Sequence, residues 1–184
     1  MAKILAFGAS NSRNSINKKL ASYTASLLEG HEISIADLND YELPLFGVDL
    51  EKEIGHPENA IRFSELVEQH DGLIISLAEH NSNFTAVFKN LADWMSRYHN
   101  PTWRNKKVFL MATSNGKRGG ATALEIGLKI LPFRGADISA HFSLPQFSEN
   151  FSEEEGLVNA ELKAQLIEQL NIFDESLSLT SSEA

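Results

Sequence analysis

The stretch that most restricts what this chain can fold into is its beginning. Lys3-Ile4-Leu5-Ala6-Phe7 is a short apolar run that passes straight into the ten residues Gly8 to Asn17, GASNSRNSIN, and helical spacing follows. A buried strand, a loop of small and hydroxylic residues and then a helix form a corner that can hold an anion. Open N–H groups point outward there, and the helix dipole adds about half a positive charge. Ser10, Ser12 and Ser15 bring hydroxyls, Asn17 an amide and Arg13 a full charge, with Ile16 at the helix start. A phosphate monoester is the ligand that uses this many donors best. The plainer reading is a polar loop in which Ser15 caps a helix.

Other motifs that end on such a corner do not match. A Walker A loop needs an earlier glycine before its Gly-Lys pair, and Met111 stands where Gly116-Lys117 would require it. The dinucleotide fingerprint is absent, because Ala9 and Ser10 follow Gly8. The serine elbow fails at its last position, where Ser12 replaces the glycine.

Beyond the corner, Leu20, Tyr23, Leu27 and Leu28 recur at helical spacing and Gly30 ends that helix. Glu32 to Ala36 alternates as a strand, completing a β-α-β unit that calls for a parallel sheet. Residues 37 to 57 read as one long irregular stretch whose apolar tip, Leu43-Pro44-Leu45-Phe46-Gly47, would cover a ligand or meet a second subunit. A helix follows to about His70, and Asp71 to Leu77 is an apolar run suited to a strand buried on both faces. The spacing of Phe84, Val87, Phe88, Leu91 and Met95 predicts a helix from Thr85 to Tyr98, broken at Asn100-Pro101. Further strands are expected at Lys107 to Thr113 and Ala136 to Phe142, with helices at Ala121 to Leu131 and Leu157 to Phe173. An acidic loop is expected at Phe147 to Gly156.

Five strands alternating with five helices predict an α/β three-layer sandwich, with a five-stranded parallel sheet of order 2-1-3-4-5. Residues 1–175 form one domain in this reading and 176–184 a loose tail. The 184 residues carry a formal charge of −9, which argues against nucleic acid or an anionic membrane as partner. The chain has no cysteine, so thiol chemistry and thiolate metal sites are excluded. The six histidines are scattered without metal-ligand spacing, and no metal is expected. No leader precedes the first strand and no apolar run approaches the ~18 residues of a membrane span, so a cytoplasmic protein is expected.

In a sheet of that order the loops after strands 1, 3 and 4 converge at the carboxyl edge, beside the switch point. Those loops hold Gly8 to Asn17, Ala78 to Asn83, and Ser114-Asn115-Gly116-Lys117-Arg118-Gly119-Gly120. The first would take a phosphate and the other two would flank a ring system. Gly116, Gly119 and Gly120 would admit close backbone approach.

Three motifs resemble those of the NADPH-dependent FMN reductase family of flavodoxin-like proteins, whose members include azo-, quinone- and chromate-reducing enzymes. GASNSRNSIN is similar to its phosphate loop, with Ser10, Ser15 and Asn17 at matching positions. AEHNSNFTAVFKNLADW resembles its second segment through Glu79, Asn81, Lys89, Asn90, Asp93 and Trp94. SNGKRGG resembles its third through Ser114, Gly116, Gly119 and Gly120. The chain departs from the pattern at Ser12, where the family carries arginine, at Ala78 and His80 in place of proline and tyrosine, and at Asn83 and Thr85.

The resemblance implies a flavodoxin-like fold and hydride transfer from NADPH or NADH through FMN to a small-molecule electron acceptor such as a flavin, quinone or azo compound. It implies FMN contacts from Ser10, Ser12, Arg13, Ser15, Ile16 and Asn17, from Glu79, His80, Asn81 and Ser82, and from Ser114, Asn115, Gly116, Gly119 and Gly120. No side chain need act as nucleophile or base; His80 would touch flavin or substrate, and Lys117 and Arg118 are candidates for a nicotinamide phosphate. The helix bearing Lys89 to Trp94 implies a homodimer or a dimer of dimers, and Trp103 would join the interface if it is exposed. Competing functions are an FMN-binding electron carrier or sensor without nicotinamide turnover, and a phosphate-binding module without flavin.

Overall fold

The computed structural model describes residues 1–180. Five strands form one parallel sheet: β1 (Lys3–Ala9), β2 (Glu32–Ala36), β3 (Gly72–Leu77), β4 (Lys106–Thr113) and β5 (Ala136–Leu144), in the order 2-1-3-4-5. Its register pairs Phe7 with Ala36 on one side and with Ile75 on the other, and Ile75 in turn with Leu110. A bulge between Val108 and Phe109 shifts the pairing with β5, leaving Ser139 unmatched.

Alternation along these strands splits the core in two, because successive side chains leave opposite faces. Leu5, Phe7, Leu73, Ile75, Val108 and Leu110 face one layer. Ile4, Ala6, Ile74, Phe109 and Met111 face the other. The first layer is closed by α3 (Glu58–Glu68), α4 (Ala86–Tyr98) and α5 (Ala121–Ile130), through Phe63, Val67, Phe88, Leu91, Met95 and Leu124. The second is closed by α1 (Ile16–Ser26) and α6 (Ala160–Thr180), through Leu20, Ala25, Leu166, Leu170 and Phe173. This is the expected flavodoxin-like sandwich.

Several boundaries differ from the sequence reading. The stretch expected to be irregular carries a 3₁₀ turn, Leu38–Asp40, begun by the Asp37 carboxylate accepting from Asn39 N–H, and a helix α2 (Val48–Ile54). No residue of α2 is buried, so it has no apolar face to betray it. Residues 79–84 form a hairpin pairing Glu79 with Phe84 and His80 with Asn83. Its two-residue turn, Asn81-Ser82, has φ of 50° and 60°, the left-handed backbone such hairpins need. The acidic segment holds a helical turn, Phe147–Asn150, and a short ladder between Phe151–Ser152 and Gly156–Leu157.

The tail expected from residue 176 is helical through Thr180, and Ser176 and Leu177 are buried; residues 181–184 lie outside the described part. Trp103 is not exposed. It is buried and stacks on Phe88 at 5.9 Å, so it offers no surface to a partner.

Asn17, which is buried, fastens α1 to the sheet. Its amide donates to Thr113 C=O (3.1 Å), and its Oδ1 accepts from Ser76 Oγ (2.7 Å) and Thr113 N–H (3.1 Å). The first turn of α1 is thereby bonded to the ends of β3 and β4. Asn17→Ala would strand three buried polar groups, so a loss of about 2–4 kcal/mol is expected. A urea midpoint that falls without a change in m checks it.

Candidate active site

The corner after β1 is set by close packing. A Cβ on Gly8 would lie 2.4 Å from the Lys18 backbone nitrogen, so only glycine lets α1 approach the strand end. Ser15 is the N-cap of α1, its Oγ accepting from Lys18 N–H at 3.1 Å. The Ile16 and Asn17 amides have no partner within the protein, as expected of a first helical turn. Ser10 Oγ accepts from Ser12 N–H at 3.1 Å. Each of the two serines keeps a hydroxyl hydrogen to donate. The plain capping role of Ser15 and a ligand-binding role therefore coexist.

Around this corner lies a cavity of about 290 Å³, lined by Ser10, Ser12, Asn14, Ser15, Ile16, Asn17, Ala78, Glu79, His80, Thr113, Ser114 and Asn115. Loops after β1, β3 and β4 thus meet at one place. Nine of the fifteen candidate residues are here. Arg13 lines a separate neighbouring cavity, and Asn81, Ser82, Gly116, Gly119 and Gly120 do not line the first. Asn14, Ala78 and Thr113 are additions; Asn14 was legible as a polar residue inside the loop.

The structure gives several of these residues work of their own. Asn17 points its side chain into the sheet, and only its N–H faces outward. Glu79 Oε2 accepts from Ala123 N–H at 3.0 Å, capping α5 from across the cleft, since Gly120 brings no capping side chain. Gly119, at φ 59°, lies against the end of β5. A Cβ there would meet Ser143 Oγ at 2.5 Å and Leu144 C at 2.8 Å, which explains the glycine without a ligand. Ser114 and Asn115 are braced by the turn after β5: Phe147 N–H donates to Ser114 C=O at 3.1 Å, and Ser148 Oγ to Asn115 Oδ1 at 2.6 Å. Thr85 caps α4 and donates to Ala9 C=O at 2.8 Å, tying the second loop to β1. His80 is exposed at the rim, and its ring makes no bond within the protein.

The donor set suits a phosphate monoester: open helix amides and hydroxyls, with Glu79, the one carboxylate in the lining, accepting from Ala123 N–H of α5. The charge that sequence reasoning assigned to this cradle is missing from it, because Arg13 lines the neighbouring cavity. Among the described residues there is no cluster of ligands that could hold a metal ion.

The model of the family described as NADPH-dependent FMN reductase matches residues 2–149, which include all three loops. The chain belongs to the NADPH-dependent FMN reductase family. It is accordingly an oxidoreductase of flavodoxin-like fold that works with FMN and NAD(P)H. An uncharacterised protein of Mycoplasma pneumoniae is 32% identical over 77% of this chain and 86% of its own length. A 2-hydroxy-1,4-benzoquinone reductase of a Burkholderia species is 34% identical over 66% of this chain and 65% of its own length. In fold, the chain is similar to a flavoenzyme NAD(P)H:(acceptor) oxidoreductase of Paracoccus denitrificans. That likeness has a TM-score of 0.78 and 23% identity, over 97% of this chain and 98% of the other.

The segment from Asp37 to Leu45 leaves the end of β2 as a strap and lines the neighbouring cavity with Arg13. Lys18 in α1 is ion-paired with Asp37, where the strap starts. Burial works against ionisation of Asp37, but hydrogen bonds from Lys18 and from Asn39 outweigh it and hold the carboxyl below its ordinary value. With its folded value depressed, the group's contribution is complete above the usual carboxylate range and disappears as pH falls through the folded value. Protection factors of the amides in residues 37–41, taken against the intrinsic exchange rate at each pH, should fall on acidification below that range. In Asp37→Asn they should already be low at neutral pH and change little on acidification.

Proposed function

We propose that this oxidoreductase passes electrons from NAD(P)H through FMN to a quinone-type acceptor. The observation that carries the site assignment is the meeting of three loops at the open Ile16 and Asn17 amides. Bound there, FMN supplies a ring that accepts hydride from a nicotinamide and yields electrons to an acceptor. The chain's part is to seat and orient it. The two amides and the Ser10, Ser12 and Ser15 hydroxyls would hold the phosphate. Backbone groups of Glu79 and His80 would meet the polar edge of the ring, and Ser114 and Asn115 would border it. The bond from Glu79 to Ala123 keeps the hairpin at a fixed distance from α5. A quinone is favoured because a 2-hydroxy-1,4-benzoquinone reductase is among the relatives, and His80 at the rim is placed to donate to an acceptor oxygen.

The working form is a homodimer in this reading. Ile130 and Phe133 are exposed (49% and 84%), and Ile130 lines a small cavity with Lys89, Ala92, Asp93 and Ser96 of α4. A second subunit covering that face would bury Ile130. The cytoplasm, where reduced nicotinamide is maintained, is the expected location.

Purified protein mixed with FMN should show a bound-flavin spectrum that bleaches when NADPH is added anaerobically and recovers on addition of benzoquinone. A spectrum that neither nicotinamide alters would refute the proposal. Ser15→Ala removes a phosphate donor and should weaken FMN binding about tenfold. His80→Ala should raise KM for the quinone and leave FMN affinity in place, as a flavin titration beside steady-state kinetics would show.

A further inference from the structure

The loop after β1 is a wall between two cavities. Ser10 and Ser12 line the phosphate cradle, whereas Asn11 and Arg13 line its neighbour, a space of about 510 Å³. The other walls of that neighbour are strap residues from Leu38 to Leu45 and the start of α4 at Ala86, Val87 and Asn90. Most polar groups in it are already used. Asn39 donates to Asp37, and Asn90 is held by Pro44 C=O and Phe46 N–H, which the indole of Trp94 reinforces by donating to the same carbonyl at 2.8 Å.

Two charged side chains remain, Arg13 and Glu42. Neither forms an ion pair or side-chain hydrogen bond, with the other or with any described residue. Beside them stand Tyr41, Leu43, Val87 and Leu45, the last 80% exposed. A ligand that fits must offer an anion to Arg13, a hydroxyl donor to Glu42 and a flat apolar body to the leucines. A bare anion would meet the Glu42 carboxylate, and an uncharged acceptor would strip water from two charges without replacing it.

We infer that this cavity receives the adenosine end of the nicotinamide cofactor, with Arg13 on the 2′-phosphate of NADPH and Glu42 on the ribose. This rests on the reading given under Proposed function. A guanidinium presents a fork of donors that matches a phosphate, and no other side chain of the cavity brings positive charge. Glu42 acts in the opposite sense: it accepts from the free 2′-hydroxyl of NADH and repels a 2′-phosphate. The cavity therefore carries both levers of coenzyme choice. Against a chain of formal charge −9, a local cation is needed to draw in so anionic a coenzyme.

The probes are 2′,5′-ADP and 5′-AMP, titrated calorimetrically with FMN present to fill the cradle. Inorganic phosphate takes its place if FMN does not bind, so failure of the flavin reading is seen separately. Wild type should bind 2′,5′-ADP more tightly than 5′-AMP. Arg13→Ala should weaken 2′,5′-ADP roughly 10- to 100-fold, the worth of a charge-assisted contact, and barely alter 5′-AMP. Glu42→Gln should favour 2′,5′-ADP further. In turnover, Arg13→Ala should raise KM for NADPH far more than KM for NADH, with kcat little changed. Equal binding of the two probes by wild type, or undiminished binding of 2′,5′-ADP by Arg13→Ala, would overturn the assignment.

Discussion

The site depends on one buried amide. Asn17 follows directly on the first residue of α1, and its side chain bonds to the ends of two neighbouring strands. Those bonds set how deep the helix start sits against the sheet edge, and with it where the Ile16 and Asn17 N–H groups point. The absence of a Cβ on Gly8 permits the same close approach from the strand side. A helix packed further out would present the same amides to bulk water. The position of the cradle is thus a by-product of core packing.

The architecture was legible because its signals are burial signals. Strands such as Gly72–Leu77 are apolar on both faces, and α4 shows its buried stripe plainly, so the three-layer sandwich and its strand order are readable from pattern and connection rules. What escaped was structure held by polar bonds. Helix α2 buries nothing, and the hairpin at residues 79–84 is only two pairs long, so neither alters apolar spacing. Sequence spacing ends the last helix at Phe173 because the polar residues Asp174, Glu175 and Ser176 interrupt its stripe, although Ser176 and Leu177 are buried.

Site residues were legible by loop but not by direction. Sequence places Ser10 to Asn17 on one turn, yet adjacent residues there face different cavities. Arg13 therefore leaves the cradle while Ser12 stays. The same holds for Glu79, whose carboxylate is spent on Ala123, and for Gly119, whose bare Cα answers a steric demand from β5. Residue types in a loop indicate what it can bond. Which partner each atom finds is decided by elements elsewhere in the chain, 44 residues on in the case of Glu79.

A cradle made of amides and hydroxyls has a consequence for how its contents are retained. Dipoles at short range lose little to dissolved ions, whereas a lone guanidinium in an open hollow is shielded readily. Rising ionic strength should therefore loosen an anion on Arg13 well before it disturbs a phosphate on the α1 amides. In concentrated brine a phosphate on the α1 amides would outlast an anion held by Arg13 alone.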